Sequence, residues 1–455
     1  MNFNRQVFKL LESWKSKSDR KPLIIRGARQ VGKTTLVKNF SKTFQNAILL
    51  NLEKNSDRSF FDGFDDVKTI VEALMVSKNL QSIDLSNTLL FLDEIQESPK
   101  AIQLLRYFYE EMPEMPIIAA GSLLEFSLKE VKSFPVGRIE FLYLYPMNFH
   151  EYLDAIGQKV ALDQFNHVSV KPIAHETLMK LFHRYAIIGG MPEVIKTDLN
   201  KSNLADLPPV YESIWGTYKS DIEKYSTNDN ERKIIRHLMN TAPLSLDKRV
   251  KFQGFGNSNY RSREISESFR ILEDAKIMRL VYPTTDLAPP LQSDLKKSPR
   301  IQFLDTGLVN YSLGIQGELL RMKDLSPAYK GAMIPHLITQ ELISTTHWTD
   351  QKPNFWVREK RQSSAEVDLV ILHQHLAIPV EIKSGATGTL RSLHQFIDAC
   401  DHGFAVRIYG GKLQLEETTT PAGKPYTLLN LPYYLGTMLK EYLDWFIAQD
   451  SPIKS

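Results

Sequence analysis

The stretch GARQVGKTT, from Gly27 to Thr35, is the feature that most restricts how this 455-residue chain folds. Its glycines, lysine and first threonine satisfy the spacing G-x-x-x-x-G-K-[ST]. The apolar run PLIIRG (22–27) predicts a buried strand, and a helix is predicted to begin at Lys33. A strand, a glycine-rich turn and a helix in this order gather backbone N–H groups and a helix N-terminus around one point. The stretch therefore predicts a phosphate-binding turn in an α/β fold.

The residues of this turn have distinct predicted roles in holding a nucleoside triphosphate. The Lys33 ammonium would neutralise the β and γ phosphates, and the Thr34 hydroxyl would bind Mg²⁺. The backbone of the whole turn would wrap the phosphates, through Gly27, Ala28, Arg29, Gln30, Val31, Gly32, Lys33, Thr34 and Thr35. ATP and Mg²⁺ are therefore the expected cofactors. The alternative is a glycine-rich turn that carries a solvated lysine.

A second motif, TLLFLDEIQ, supplies the acidic residues that such a site requires. Its hydrophobic run (88–93) predicts a strand that ends at Asp93, whose carboxylate would bind Mg²⁺. Glu94 follows immediately and would orient and deprotonate the attacking water. The alternative is a strand that ends in an ordinary solvated acidic pair.

Two further residues are candidates for the same site. Ser122 ends the predicted strand PIIAAGS, and it would reach the γ-phosphate or the water, or cap the helix that follows. Arg138 stands just before the next predicted strand and would stabilise transition-state charge. It would do so within its own subunit or across a subunit contact, and the alternative is an ordinary surface arginine.

Patterning divides the chain into four predicted domains. Residues 1–146 alternate short apolar runs with helical stretches, which predicts a parallel sheet covered on both faces. Residues 147–225 are predicted to be helical, residues 226–290 to mix helix and strand, and residues 300–447 to form a second α/β domain. The segment 289–299 is rich in proline and charge and is predicted to link the last two.

Composition limits which cellular compartment and which binding partners we expect. The net charge of +3 is too small to indicate a nucleic-acid or membrane partner, so any basic surface would have to be local. The single cysteine, Cys400, excludes an intramolecular disulfide and a thiolate metal cluster, and it fits a reducing compartment. The chain shows neither a run of about 18 apolar residues nor the apolar core of a signal peptide. We therefore expect a cytoplasmic protein without a membrane partner.

The segment SSAEVDLVILHQHLAIPVEIKSG carries a second group of charged residues. It predicts two strands joined by a short polar turn, with Asp368 at the start of the first. Glu381 and Lys383 are two positions apart on the second strand, so they project from one face. Two carboxylates and a lysine can hold Mg²⁺ or Mn²⁺ and activate water for phosphodiester hydrolysis. The alternative is an exposed strand face with an ion pair.

The amino-terminal motifs, together with IIAAGS and FPVGR, resemble those of AAA-type ATPases of the additional-strand P-loop class. The resemblance implies that Glu94 is the catalytic base. The later GGMP resembles the glycine–proline motif in the helical lid of signal-transducing ATPases, which implies a role for Gly190 and Pro192; a helix stop is the alternative. SREISESFRILEDAKIMRLVYPT resembles the second half of a winged helix, which would contact DNA or pack between domains.

The carboxyl-terminal spacing D-x(12)-E-x-K resembles that of the PD-(D/E)xK nuclease superfamily. This resemblance implies that Glu341, in PHLITQELIS, is an additional metal ligand. It leaves open whether the domain cleaves nucleic acid or only binds it. The whole chain resembles bacterial and archaeal AAA ATPases with a carboxyl-terminal nuclease-like domain of unknown function. It departs from them at Pro335, where many relatives carry an acidic residue.

Two functions are consistent with these motifs. In the first, an ATPase couples its nucleotide state to a nuclease-like domain that acts on nucleic acid, with DNA expected rather than RNA. In the second, ATP controls a signalling or oligomerisation switch whose terminal domains only bind partners. Arg138 acting in trans would require at least a homodimer.

Overall fold

The computed structural model of the chain describes residues 2–80, 84–128, 135, 137–201, 204–226, 228–316, 327–350, 352–360, 363–383 and 389–450. The chain forms two compact units. The first comprises Met1–Pro146 and two short later segments, Asp274–Ile277 and Thr346–Asp350. The second comprises Met147–Glu273, Met278–Thr345 and Gln351–Ser455.

The first unit is built on a five-stranded sheet. Its strands are β1 (Leu23–Arg26), β2 (Asn46–Asn51), β3 (Thr88–Asp93), β4 (Ile117–Ala120) and β5 (Glu140–Tyr143). They lie in the order β2-β3-β4-β1-β5, and all neighbouring strands run parallel. The predicted parallel sheet is therefore confirmed, and the carboxyl ends of all its strands share one edge.

Helices cover this sheet, and local sequence decides where several of them begin. They are α1 (Val7–Lys15), α2 (Lys33–Phe40), α3 (Asn55–Gly63), α4 (Val67–Ser77), α5 (Pro99–Glu111) and α6 (Leu124–Leu128). The Ser98 side chain accepts a hydrogen bond from the Ala101 N–H, and Pro99 occupies the first turn, so α5 starts there. Leu90 and Leu92 of β3 are buried in one core with Leu105 of α5.

The second unit begins with helices, as the sequence predicts. These are α7 (Phe149–Ala155), α8 (Lys159–Asn166), α9 (His175–Ile188), α10 (Pro192–Lys201) and α11 (Leu207–Tyr225). The later helices are α12 (Asp229–Thr241), α13 (Ser262–Asp274), α14 (Thr306–Ser312), α15 (Pro327–Ser344), α16 (Arg391–Ile397) and α17 (Leu439–Asp450). Short 3-10 turns, such as Tyr433–Met438, connect some of them.

A seven-stranded mixed sheet forms the core of the carboxyl-terminal part. The strands of the second unit are β6 (Met278–Val281), β7 (Pro283–Thr284), β8 (Arg300–Phe303), β9 (Asn354–Lys360), β10 (Ser363–His373), β11 (Leu376–Ile382), β12 (Phe404–Tyr409), β13 (Gln414–Thr419) and β14 (Pro425–Pro432). The sheet has the order β13-β14-β12-β11-β10-β9-β7, while β6 and β8 form a separate antiparallel pair. The second α/β region that the sequence predicts is therefore present.

Strands on the two sides of the predicted linker are paired with each other. β6 precedes the segment 289–299 and pairs with β8, which follows it. β7 also precedes the segment, and it pairs with β9 in the large sheet. Helix α13 is followed by a turn and β6, in the order predicted for a winged helix; that identity and the domain limits stay predictions.

Candidate functional site

The stretch GARQVGKTT joins β1 to α2 at the carboxyl edge of the five-stranded sheet. Gly27 has a φ of 154°, and a Cβ there would lie 2.3 Å from the backbone oxygen of Leu144. Gly32 precedes α2 with a φ of 97°, in the left-handed region. Both positions therefore need glycine, because a side chain would collide or strain the backbone. The turn presents its backbone next to the amino terminus of α2.

The Lys33 side chain is folded back onto this turn. Its Nζ donates hydrogen bonds to the Gly27 oxygen at 2.9 Å and to the Ala28 oxygen at 2.8 Å. Burial lowers the pKa of Lys33 to about 8, although the Glu94 and Asp93 carboxylates act in the opposite direction. A buried ammonium that is held by two backbone carbonyls would gain from an anionic ligand.

The two residues predicted to hold Mg²⁺ are in direct contact. Thr34 donates through Oγ1 to Asp93 Oδ1 over 3.2 Å. Asp93 ends β3, and burial raises the pKa of its carboxyl group despite the Thr34 hydrogen bond. One hydroxyl and one carboxylate fit Mg²⁺, which prefers oxygen ligands and completes its shell with phosphate oxygens and water.

Glu94 lies beside this pair in an unusual backbone conformation. Its φ is 51°, in the left-handed region, and its N–H donates to Asp93 Oδ1 at 3.2 Å. Gln96 Nε2 donates to Glu94 Oε2 at 2.6 Å, which fixes the orientation of the carboxylate. Gln96 was not identified from the sequence, although it is the last residue of the motif TLLFLDEIQ.

Ser122 and Arg138 are placed differently with respect to the turn. Ser122 follows β4, and its Oγ accepts a hydrogen bond from Arg29 Nε at 3.3 Å, so it lies beside the turn. Arg138 stands before β5, at the amino edge of the sheet, whereas the turn follows β1 at the carboxyl edge. The Arg138 Nε donates to Glu110 Oε1 at 3.0 Å, and its side chain is 44% exposed. The structure does not bring Arg138 to the turn of its own sheet.

The three carboxyl-terminal candidates meet at one end of the β10–β11 ladder. Asp368 and Glu381 each stand one position beyond the paired residues Leu369 and Val380. Lys383 Nζ donates to Glu381 Oε1 at 2.6 Å. The Ile382 N–H donates to Asp368 Oδ2 at 2.8 Å and fixes that carboxylate.

Arg300, which the sequence did not indicate as a site residue, lies beside Asp368. The Arg300 guanidinium donates to Glu366 Oε1 at 3.0 Å through Nε, and it lies 3.3 Å from the Asp247 carboxylate and 3.4 Å from that of Asp368. It also stacks over the Phe355 ring at 4.6 Å. Burial raises the pKa of Asp247 to about 7. Asp247 and Arg300 are distant in sequence from each other and from Glu366 and Asp368, so no local pattern could have indicated their association.

Glu341 does not join Asp368 and Glu381, contrary to what the resemblance implied. Its Oε1 accepts from the Tyr185 hydroxyl at 2.7 Å, and its Oε2 accepts from the Phe149 N–H at 3.0 Å. Burial raises its pKa to about 8.

The physical reason is helix periodicity. A cleft beside Asp368 is lined from α15 by Pro335, His336 and Thr339. Residue 341 lies on another face of that helix. Pro335, the position at which the sequence departs from the family it resembles, is among the residues that line the cleft. Across the described ranges, three or more His, Cys, Asp or Glu side chains are nowhere grouped so as to hold a metal ion.

The parallel sheet, the phosphate turn and the acidic residues at its carboxyl edge define a P-loop nucleotide-binding domain. Residues 19–153 match the family model of an AAA domain, so the chain carries an AAA-type P-loop domain, a type that generally hydrolyses ATP. Residues 179–319 and 330–430 match two domains of unknown function, DUF8612 and DUF4143. No curated protein matches the chain significantly. In the part of the chain that is described, every helix is too short or too polar to cross a membrane.

Proposed function

We propose that this chain is an Mg²⁺-dependent ATP hydrolase that uses Lys33, Thr34, Asp93 and Glu94. The observation that carries the proposal is their convergence on the carboxyl edge of the sheet. Lys33 donates hydrogen bonds to the phosphate turn, and Thr34 donates one to Asp93. The Glu94 N–H donates to the same Asp93 oxygen. This set supplies a cation to contact the phosphates, oxygen ligands for Mg²⁺ and a carboxylate base within one site.

Each residue has an assigned step. Lys33 would exchange its bonds to the turn for bonds to the β and γ phosphates. Thr34 and Asp93 would hold Mg²⁺, which supplies positive charge to the phosphate oxygens. Glu94 would accept the proton of the water that attacks the γ-phosphorus, and ADP and inorganic phosphate would leave. Because Gln96 occupies Oε2 of Glu94, we assign Oε1 to the water.

Equilibrium binding of Mg²⁺–ATP tests the nucleotide site. Lys33→Ala should weaken binding about 100-fold or more, because the buried ammonium that would contact the phosphates is lost. Lys38→Ala is the matched control, since Lys38 is an exposed lysine of the same helix. Equal affinities in the two variants would contradict the proposal.

We propose further that the carboxyl-terminal domain acts on nucleic acid, DNA rather than RNA, through Asp368, Glu381 and Lys383, and that nucleotide state controls it. The supporting observation is that Glu381 is only 6% exposed, yet its Oε2 has no hydrogen-bond partner in the described structure. A divalent cation, Mg²⁺ or Mn²⁺, would satisfy that oxygen together with Asp368. The contact between Arg300 and Asp368 means that the guanidinium would have to withdraw.

Incubation with plasmid and single-stranded DNA in Mg²⁺ or Mn²⁺, with and without ATP, tests this second proposal. Cleavage by the wild type is expected to disappear in Lys383→Ala and to persist in Lys412→Ala, which removes an exposed lysine of the same domain. Undiminished cleavage by Lys383→Ala would contradict the metal-site assignment. DNA binding without cleavage would favour the alternative, an ATP-dependent switch whose terminal domains only bind partners.

A further inference from the structure

Glu125, in α6, is an acidic side chain of the first unit that the hydrolysis steps do not use. It stands three residues after Ser122, and its Oε1 lies 3.7 Å from Arg26, the residue before Gly27. Burial lowers the pKa of Lys33, and Glu125 is among the carboxylates that raise it. Glu125 thus stands close to the start of the phosphate turn, and its charge would repel a triphosphate unless a cation offset it.

A cation from a distant part of the chain lies beside Glu125. Lys276 Nζ lies 3.0 Å from Glu125 Oε1 and 3.0 Å from Asp350 Oδ2. Its side chain is only 16% exposed, so the contacts are shielded from solvent. Lys276 occupies the turn between α13 and β6 with a φ of 61°, and that turn, Asp274–Ile277, belongs to the first unit.

A second short segment fixes the other partner of Lys276. The segment Thr346–Asp350 also belongs to the first unit. The Tyr143 N–H, at the end of β5, donates to the His347 oxygen at 2.7 Å, and the His347 ring nitrogen Nδ1 lies 3.0 Å from the Tyr143 oxygen. Asp350 is thus held near β5, where it orients Lys276 towards Glu125.

These four side chains form a neutral set. Glu125 and Asp350 are negative, and Lys276 and Arg26 are positive. The Arg26 guanidinium packs against the Phe141 ring at 3.7 Å and is the more distant of the two cations from Glu125. Without Lys276 the set would carry one excess negative charge beside the phosphate turn.

We propose that Lys276 is a positioning residue that makes ATP affinity depend on the docking of the turn Asp274–Ile277; this rests on the proposed ATPase function. With the turn docked, the Glu125 charge is offset and a triphosphate is accepted. With the turn displaced, the Glu125 charge is no longer offset, and it weakens the binding of ATP. Because such coupling is reciprocal, ATP favours the docked turn by the same factor. Helix α13 ends at Asp274, the first residue of this turn.

The Kd of Mg²⁺–ATP in a double-mutant cycle tests this inference. Lys276→Met is expected to weaken binding about tenfold, a typical size for coupling between two sites. Glu125→Gln in the same chain should restore the affinity to near the wild-type value, because the opposing charge is gone. Lys352→Met is the matched control: Lys352 pairs with Glu273 in the second unit, and its loss should leave the Kd unchanged.

Rescue by the second substitution separates charge compensation from a general structural role. Unchanged binding in Lys276→Met, or weak binding that Glu125→Gln does not restore, would overturn the inference. If Lys276→Met fails to fold, Glu125→Gln alone decides, since it should bind ATP at least as tightly as the wild type and weaker binding contradicts the inference. A wild-type affinity for Mg²⁺–ATP in Lys33→Ala would instead refute the proposed function itself.

Discussion

Lys33 illustrates how the phosphate turn is prepared for its ligand. Its buried ammonium is held by two backbone oxygens, and burial lowers its pKa to about 8. A bound triphosphate would favour the charged form and raise this pKa. The free site therefore loses its cation at a pH where the occupied site keeps it.

We predict that ATP binding takes up protons at alkaline pH. Above pH 8, a growing fraction of Lys33 is neutral in the free protein, and binding recharges it. Below that pH, Lys33 is already protonated, so no uptake from this group is expected at pH 6.5. Calorimetry at pH 9 in two buffers of different ionisation enthalpy measures the uptake. An equal binding enthalpy in the two buffers at pH 9 would contradict the prediction.

Individual residues were predictable from the sequence where a short motif specifies them. Thr34 and Asp93 were assigned from two motifs, and the structure places them 3.2 Å apart. Lys276 and Arg300 were missed, because each contacts carboxylates that are far away in the sequence. Glu341 is expected from the resemblance to face Asp368 and Glu381, but it lies on another face of α15. The sequence does not give the rotation of a helix about its axis.

At the scale of elements, the GGMP segment joins α9 to α10 in a tightly packed place. The Gly190 N–H donates to the buried Asp305 carboxylate at 2.6 Å. A Cβ on Gly190 would lie 2.0 Å from the Met147 oxygen. Helix α9 ends at Ile188, so the segment does stop a helix, while its role as a nucleotide-sensing lid motif stays a prediction.

We predict opposite effects for two glycine substitutions in this region. Gly190→Ala should lower the free energy of unfolding by about 1–3 kcal/mol or more, because the methyl group meets backbone atoms. Gly216→Ala, within α11, should raise it by up to about 1 kcal/mol, because the new Cβ meets no described atom within 4 Å beyond its own stretch of helix backbone, and alanine favours helix. Urea denaturation of both variants measures the difference. Similar changes in the free energy of unfolding of the two variants would show that packing does not require glycine at position 190.

Elements were predictable where apolar runs are bounded by turn residues. All five parallel strands of the first unit follow such runs, and α5 follows a serine–proline start. The pairing of β6 with β8 was not predictable, because the proline-rich segment between them looks like a linker. Partners across such a segment are chosen by long-range packing, which local patterns do not contain.

At the scale of the whole molecule, the position of Arg138 bears on assembly. It stands at the amino edge of the sheet, and its own phosphate turn lies at the carboxyl edge. A role in transition-state stabilisation therefore requires Arg138 from a second copy of the chain. The sequence alone left action in cis and in trans open.

We predict that two inactive variants will complement each other. Arg138→Ala keeps an intact phosphate site, and Lys33→Ala keeps the arginine, so mixed oligomers would contain some complete sites. ATP hydrolysis should therefore appear when the two are mixed and should be near background in each alone. Mixing without recovery, in a sample shown to exchange subunits, would contradict action in trans.

Steady-state hydrolysis and equilibrium binding of Mg²⁺–ATP by Glu94→Gln test the central claim most directly. The substitution removes the proton-accepting carboxylate but leaves Lys33, Thr34 and Asp93 in place. We predict turnover reduced about 100-fold or more, in line with the loss of a general base, with ATP bound about as tightly as by the wild type. Normal turnover by Glu94→Gln would contradict the assignment of Glu94 as the base.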